Sequence, residues 1–105
     1  MAECVRCRNT DVDKPLVTEL VLVITNDGDL YRSRITPIIR NLRRHRQQGK
    51  YDHEKALKLW SYLVDDYARK YAKENNLNSR DITHADRHAV ARELADHYHS
   101  EIFSD

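Results

Sequence analysis

Between Asp52 and Asn75 the apolar residues Ala56, Leu57, Trp60, Leu63, Val64, Tyr67, Ala68 and Tyr71 recur every three or four positions. At 100° per residue they form one continuous stripe, the mark of a long helix lying on a core. Asp52 stands where a capping side chain belongs, which predicts a helix over 53–75. The chain has 105 residues, enough for one small domain. A helix of that length in so short a chain dictates the architecture, because other helices must cover its stripe. Only two glycines and two prolines occur, which argues against an all-β fold rich in tight turns.

The flanking segments supply the cover. Tyr31, Ile35, Ile38 and Leu42 lie on one helical stripe, with Thr25, Asn26 or Asp27 as its cap and Asp29 near the positive end of the helix dipole. Pro37 interrupts this stripe. Either the helix kinks there, or Thr36 caps a second helix that has Pro37 at its first position. Gly49 is a natural stop. The stretch NNLNSRDI breaks the long helix, and Thr83 with Asp86 three positions later resembles a capping box. A last helix over 84–103 then buries Ala91, Leu94, Ala95, Tyr98 and Ile102.

The first quarter of the chain reads differently. Residues 1–15 show no periodicity and are expected to form a mobile arm, leaving 16–105 as the helical domain. Leu16 to Ile24, LVTELVLVI, is rich in β-branched residues and follows Pro15, so it reads as a single strand. A lone strand has unpaired backbone groups, so the segment pairs with the same strand of a second copy, which is the cheapest solution, pairs with a partner protein, or is in fact helical. The expected fold is therefore mainly α: three to four helices with one N-terminal strand that pairs across a homodimer.

Formal charge is only +1, but the charges are not spread evenly. Residues 30–51 hold seven cations (Arg32, Arg34, Arg40, Arg43, Arg44, Arg46 and Lys50) and no carboxylate. Helical geometry turns Arg40 and Arg44 away from the apolar stripe, with Arg43 and Gln47 beside them, while the stems of Arg34 and Arg46 lie at its borders. Arg40, Arg43, Arg44, Gln47 and Lys50 are thus the candidate partner-binding residues. Such a surface takes phosphates or acidic side chains; the plainer reading is a solvated helix face whose cations suit a C-terminal dipole. No outward aromatic accompanies them, so a stacking platform for single strands is not expected. The turn around Gly49 invites a helix-turn-helix reading, but the helix after it has mixed charge where a recognition helix should be basic.

Other chemistry is thinly represented. Cys4-x-x-Cys7 and His84-x-x-x-His88 are types of pair that bind zinc, but 76 residues separate them where a finger has about 12. Two free thiols on an arm and two histidines at a helix start is the simpler reading, and no metal or cofactor is expected. His97 and His99 are too close in sequence to share a helix face, and Asp65 and Asp66 likewise diverge. No nucleophile–base arrangement or phosphate-cradling glycine loop can be assembled, so an enzyme is not expected. No apolar run approaches the length of a membrane span, and no leader-like segment follows Met1, so a cytoplasmic setting with reduced thiols is expected.

Three stretches carry a resemblance: NDGDLYRSRITPIIRNL (26–42), YDHEKALKLWSYLVDDYARKYAKE (51–74) and RHAVARELADHYHSEI (87–102). Together they resemble a group of small bacteriophage and prophage proteins of no established activity, over roughly residues 20–103. The resemblance implies a phage or mobile-element context. In that context the expected function is a non-enzymatic accessory protein. It would bind and modulate a host protein or nucleoprotein complex, in host takeover or anti-defence, as an anti-CRISPR-type inhibitor does. The alternative is a nucleic-acid-binding accessory protein that uses the basic helix over 32–50.

Overall fold

The computed structural model describes residues 12–103, and all of its regular structure is helical. Helix α1 spans Lys14–Thr25. A second rod follows in three parts: α2 (Gly28–Leu30), a π-helical turn (Tyr31–Ile35) and α3 (Thr36–Gln47). Then come α4 (His53–Glu74), a 3₁₀ turn (Ser79–Asp81), α5 (His84–His97) and the short α6 (His99–Phe103). Helix α5 lies against both α4 and α1, while α3 packs mainly against α6 and less against α4. No helix among the described residues is long and apolar enough to cross a membrane.

The principal correction concerns Leu16 to Ile24, which is helix and not strand. Asp13 caps α1, its side chain accepting from the Leu16 N–H at 3.2 Å, and Pro15 sits in the first turn, where its missing N–H costs nothing. Val17, Leu20 and Ile24 are buried, at spacings of three and four. A β-branched run has a strand preference worth only about 1 kcal/mol, and an amphipathic face docked on α5 outweighs it. With every backbone group served inside the helix, strand pairing is no longer a reason for a homodimer. The helix also draws in residues assigned to the arm, from Asp13 to Pro15; residues 1–11 lie outside the described part.

The two periodicities can be told apart by mutation. A strand would put Leu20 and Leu22 on the same face, whereas in α1 Leu20 is 1 % exposed and Leu22 57 %. Leu20→Ala should therefore cost at least about 2 kcal/mol, the low end for buried leucine truncation. Leu22→Ala should stay within about 0.5 kcal/mol, as surface changes do. Equal losses in chemical denaturation would restore the strand.

Pro37 sits in the first turn of α3, where a proline opening a second helix is expected, but Thr36 is not its cap, because the backbone runs into α3 from a π-helical turn. The chain stays helical through Thr36, whose N–H reaches back five residues to the Tyr31 carbonyl. This π turn widens the helix one turn before the proline, where its ring would otherwise press on a carbonyl. The inner face of the rod differs from the expected stripe. Ile35, Ile39 and Leu42 are buried and Ile38 only partly so, while Tyr31 is exposed and stands 6.3 Å from the Tyr98 ring. Asp27, of the three candidates, caps the rod through the Leu30 N–H at 3.0 Å. Gly49 ends it with a φ of 71°, a left-handed value that favours glycine.

Helix α4 forms as expected, capped by Asp52 through the Glu54 N–H at 2.9 Å. It buries Ala56, Trp60, Leu63, Val64, Ala68 and, beyond the expected stripe, Ala72; Leu57, Tyr67 and Tyr71 pack at the margin. The Trp60 ring stacks on Tyr98 at 5.3 Å, with the planes 15° apart. The expected last helix is divided at Tyr98 into α5 and α6, and all five residues assigned to its inner face are buried.

Candidate functional site

The cation-rich segment 30–51 divides into paired and open parts. Arg32 pairs with Asp29 one turn back, and Arg34 reaches Asp66 on α4 at 3.0 Å. Arg46 lies half-buried with its guanidinium 5.8 Å from the centre of the Phe103 ring, fastening α3 to α6. These contacts place the stems of Arg34 and Arg46 at the border of the core, as helical geometry implies.

Arg40, Arg44, Gln47 and Lys50 are exposed, and Arg43 is half-buried at the edge of the same face. In projection Arg40, Arg44 and Gln47 fall within about 60° of one another, opposite Ile39 and Leu42. No carboxylate among the described residues pairs with Arg40, Arg44 or Lys50, whereas Arg32, Arg34, Arg69 and Arg87 all have one. The five residues named from the sequence thus come from the last turns of one helix and the turn after it. The negative end of the α3 dipole lies there, which favours cations but does not neutralise them.

A second polar feature lies at the start of α5. Arg87 donates to the Ile82 carbonyl at 2.9 Å and to the Ser79 carbonyl at 2.6 Å, and its other terminal nitrogen is 3.5 Å from Asp65. These bonds fix the irregular segment after α4 and line an open groove of about 510 Å³ that His84 and Arg80 also border. Because Arg87 is committed to two carbonyls, it acts as a brace and is not offered to a ligand.

Asp86 was legible from the sequence only as a capping residue. It is 2 % exposed, the sole buried carboxylate among the described residues. One oxygen accepts from the Thr83 N–H at 3.2 Å, completing the capping box, while the Thr83 hydroxyl accepts from the Asp86 N–H at 3.1 Å. Its other oxygen accepts from the Asp13 N–H at 2.8 Å, across 73 positions of sequence. This bond ties the entry of the chain to the start of α5. The capping box is visible in the sequence as Thr83 and Asp86, but nothing local signals its distant donor.

His84 and His88 stand one turn apart on α5, their ring centres 6.1 Å apart. Burial, with the charges of Arg92 and His84, holds His88 below the ordinary histidine value, so the neutral ring is favoured. Burial likewise pushes the Tyr98 phenol up to about 12, and its hydrogen bond to Glu19 at 2.6 Å does the same for Tyr71. Among the described residues no group of three or more histidine, cysteine or acidic side chains is arranged to hold a metal.

In comparison with known proteins, the chain matches no family model, no curated protein and no solved structure.

Proposed function

We propose that this chain is a small accessory protein that binds and modulates a macromolecular complex of a host cell through the outer face of α3, with no chemistry of its own. The observation that carries the reading is the exposed set of Arg40, Arg44, Gln47 and Lys50, where the cations lack carboxylate partners although acidic residues pair with arginines elsewhere on the surface. Unneutralised arginines on a rigid helix bind planar oxyanions in a defined geometry, whether carboxylates of a protein or phosphates of a nucleic acid. A formal charge of +1 gives no global field to draw the molecule onto nucleic acid, which favours a protein partner with an acidic patch. The likeness to small phage and prophage proteins supplies the setting: host takeover or anti-defence, in the cytoplasm of the host. Direct nucleic-acid binding by the same face is the second reading, supported by the run of seven cations without an acid.

The test is a triple variant, Arg40→Ala with Arg43→Ala and Arg44→Ala. It should retain the helical signal, and the double variant Arg40→Ala with Arg44→Ala should also keep the melting temperature, because exposed charges contribute little to folding while Arg43 is half-buried. The tagged protein should capture its partner from host lysate, with or without nuclease, and the variant should not. If duplex nucleic acid is the partner, capture is nuclease-sensitive, and removing three phosphate contacts lowers the slope of log affinity against log salt by about 3. Capture unchanged in the variant would reduce the face to a solvated helix.

A further inference from the structure

The cation face of α3 contains no tryptophan, tyrosine or phenylalanine, but an open aromatic ring stands on the neighbouring helix. Tyr62 on α4 is 62 % exposed, the most open large apolar side chain among the described residues. At 100° per residue Lys55, Lys58, Asp66 and Arg69 lie within about 40° of it on the helix surface. Asp66 is shared by two arginines, Arg34 at 3.0 Å and Arg69 at 2.8 Å, so it cannot neutralise both. Lys55 and Lys58 pair with no carboxylate among the described residues, although Glu54 lies one turn before Lys58. The ring therefore sits amid surplus positive charge.

This patch continues the α3 face. Only residues 48–52 separate α3 from α4, so the two run antiparallel side by side, and the Arg34–Asp66 pair holds their far ends together. The turn and the ion pair give the same register, in which Ile38 lies level with Tyr62. Ile38 and Leu59 are half-buried and add apolar surface at that level. Both helices pack inward on the α5–α6 pair, α3 on α6 and α4 on α5, so Arg40, Arg44 and Tyr62 open to the same side. A single exposed tyrosine is ordinary. One at the centre of a cation-rich face, contiguous with a second such face, has the composition of an interface centre, where Tyr and Arg are enriched and carboxylates scarce.

Resting on the reading of the α3 face as a protein-binding surface, we propose that this surface extends across α4 with Tyr62 as its anchor, and that it takes an acidic polypeptide segment in which aromatic or apolar side chains sit among the carboxylates. The cations receive the carboxylates, and the Tyr62 ring packs against an apolar side chain of the partner beside Ile38 and Leu59. Single-stranded nucleic acid is the rival occupant. One ring serves one base, where strand platforms stack successive bases, and a formal charge of +1 supplies no general attraction for a polyanion.

Fluorescence anisotropy of the full-length chain tests this, with three labelled probes: polyglutamate, a random copolymer of glutamate and tyrosine of matched length, and oligothymidylate. The copolymer should bind more tightly than polyglutamate. Tyr62→Ala should remove that advantage, weakening the copolymer by about fivefold or more, the level that marks an interface residue of consequence, and should leave polyglutamate binding nearly unchanged. Tyr62→Phe should keep the advantage, because the contact is made by the ring. Both variants should keep the helical signal, since the side chain is exposed. Arg40→Ala with Arg44→Ala should weaken both polymers. Equal affinity for the two polymers, with polyglutamate binding still dependent on Arg40 and Arg44, overturns the anchor and leaves the α3 face standing. Polyglutamate binding indifferent to Arg40 and Arg44 removes the α3 reading on which the anchor rests. The proposal is also overturned if neither polymer binds, if the copolymer advantage survives Tyr62→Ala, or if oligothymidylate binds in preference to both.

Discussion

Trp60→Ala should leave the chain largely unfolded at ambient temperature. Trp60 is 0 % exposed at the centre of α4, with its ring against Tyr98 at the junction of α5 and α6. Truncating a buried large aromatic costs about 3–5 kcal/mol, from the lost transfer energy and the cavity left behind. A domain of this size has only about 5–15 kcal/mol in total, and small domains sit at the low end. The indole N–H finds no acceptor in the core, so part of what Trp60 contributes is already offset by an unmet hydrogen bond. Trp60→Phe should accordingly lose much less than Trp60→Ala, because it keeps an aromatic ring against Tyr98 and removes the stranded donor. Urea denaturation followed by circular dichroism measures both. A Trp60→Ala chain with unchanged midpoint but no partner capture would make Trp60 a contact residue instead of core.

Asp86→Ala should cost about 3–5 kcal/mol, more than any substitution on the α3 face. The carboxylate serves the Thr83 N–H at the start of α5 and the Asp13 N–H at the start of α1. Hydrogen bonds to a charged acceptor are worth about 1.5–3 kcal/mol each, and deleting the acceptor strands two partly buried donors. Hydrogen exchange separates this from a general loss of packing. Protection should fall first at the amides of the first turns of α1 and α5, which share the acceptor, before the middle of α4 opens. Thr83→Ala removes only one arm of the capping box and should cost about 1 kcal/mol. Equal effects of the two substitutions would mean that the bond to Asp13 contributes nothing.

Where the sequence carries a complete local signal, the structure follows it. Helix α4 needs only its own stripe and the Asp52 cap, and the Gly49 stop and the Thr83–Asp86 box are likewise short-range chemistry. The cation face on α3 was legible for the same reason: an angular position on a helix follows from residue number alone. Three features depended on contacts that no window of sequence contains. The run LVTELVLVI is compatible with either period, and only the presence of α5 to receive Val17, Leu20 and Ile24 selects the helix. Pro37 could have ended the rod; the π turn from Tyr31 to Ile35 carries the helix on into α3. The Asp13–Asp86 bond joins residues 73 positions apart, and it ties the start of α1 to the start of α5. The sequence by itself therefore determined α4, the Asp52 and Thr83–Asp86 caps and the exposed charge of α3, because each is set within one or two turns. That residues 14–25 are helix, how the rod passes Pro37 and that Asp13 is held by Asp86 were decided by tertiary packing, because there the local preferences are nearly balanced or silent and a few kilocalories of burial and hydrogen bonding choose between them.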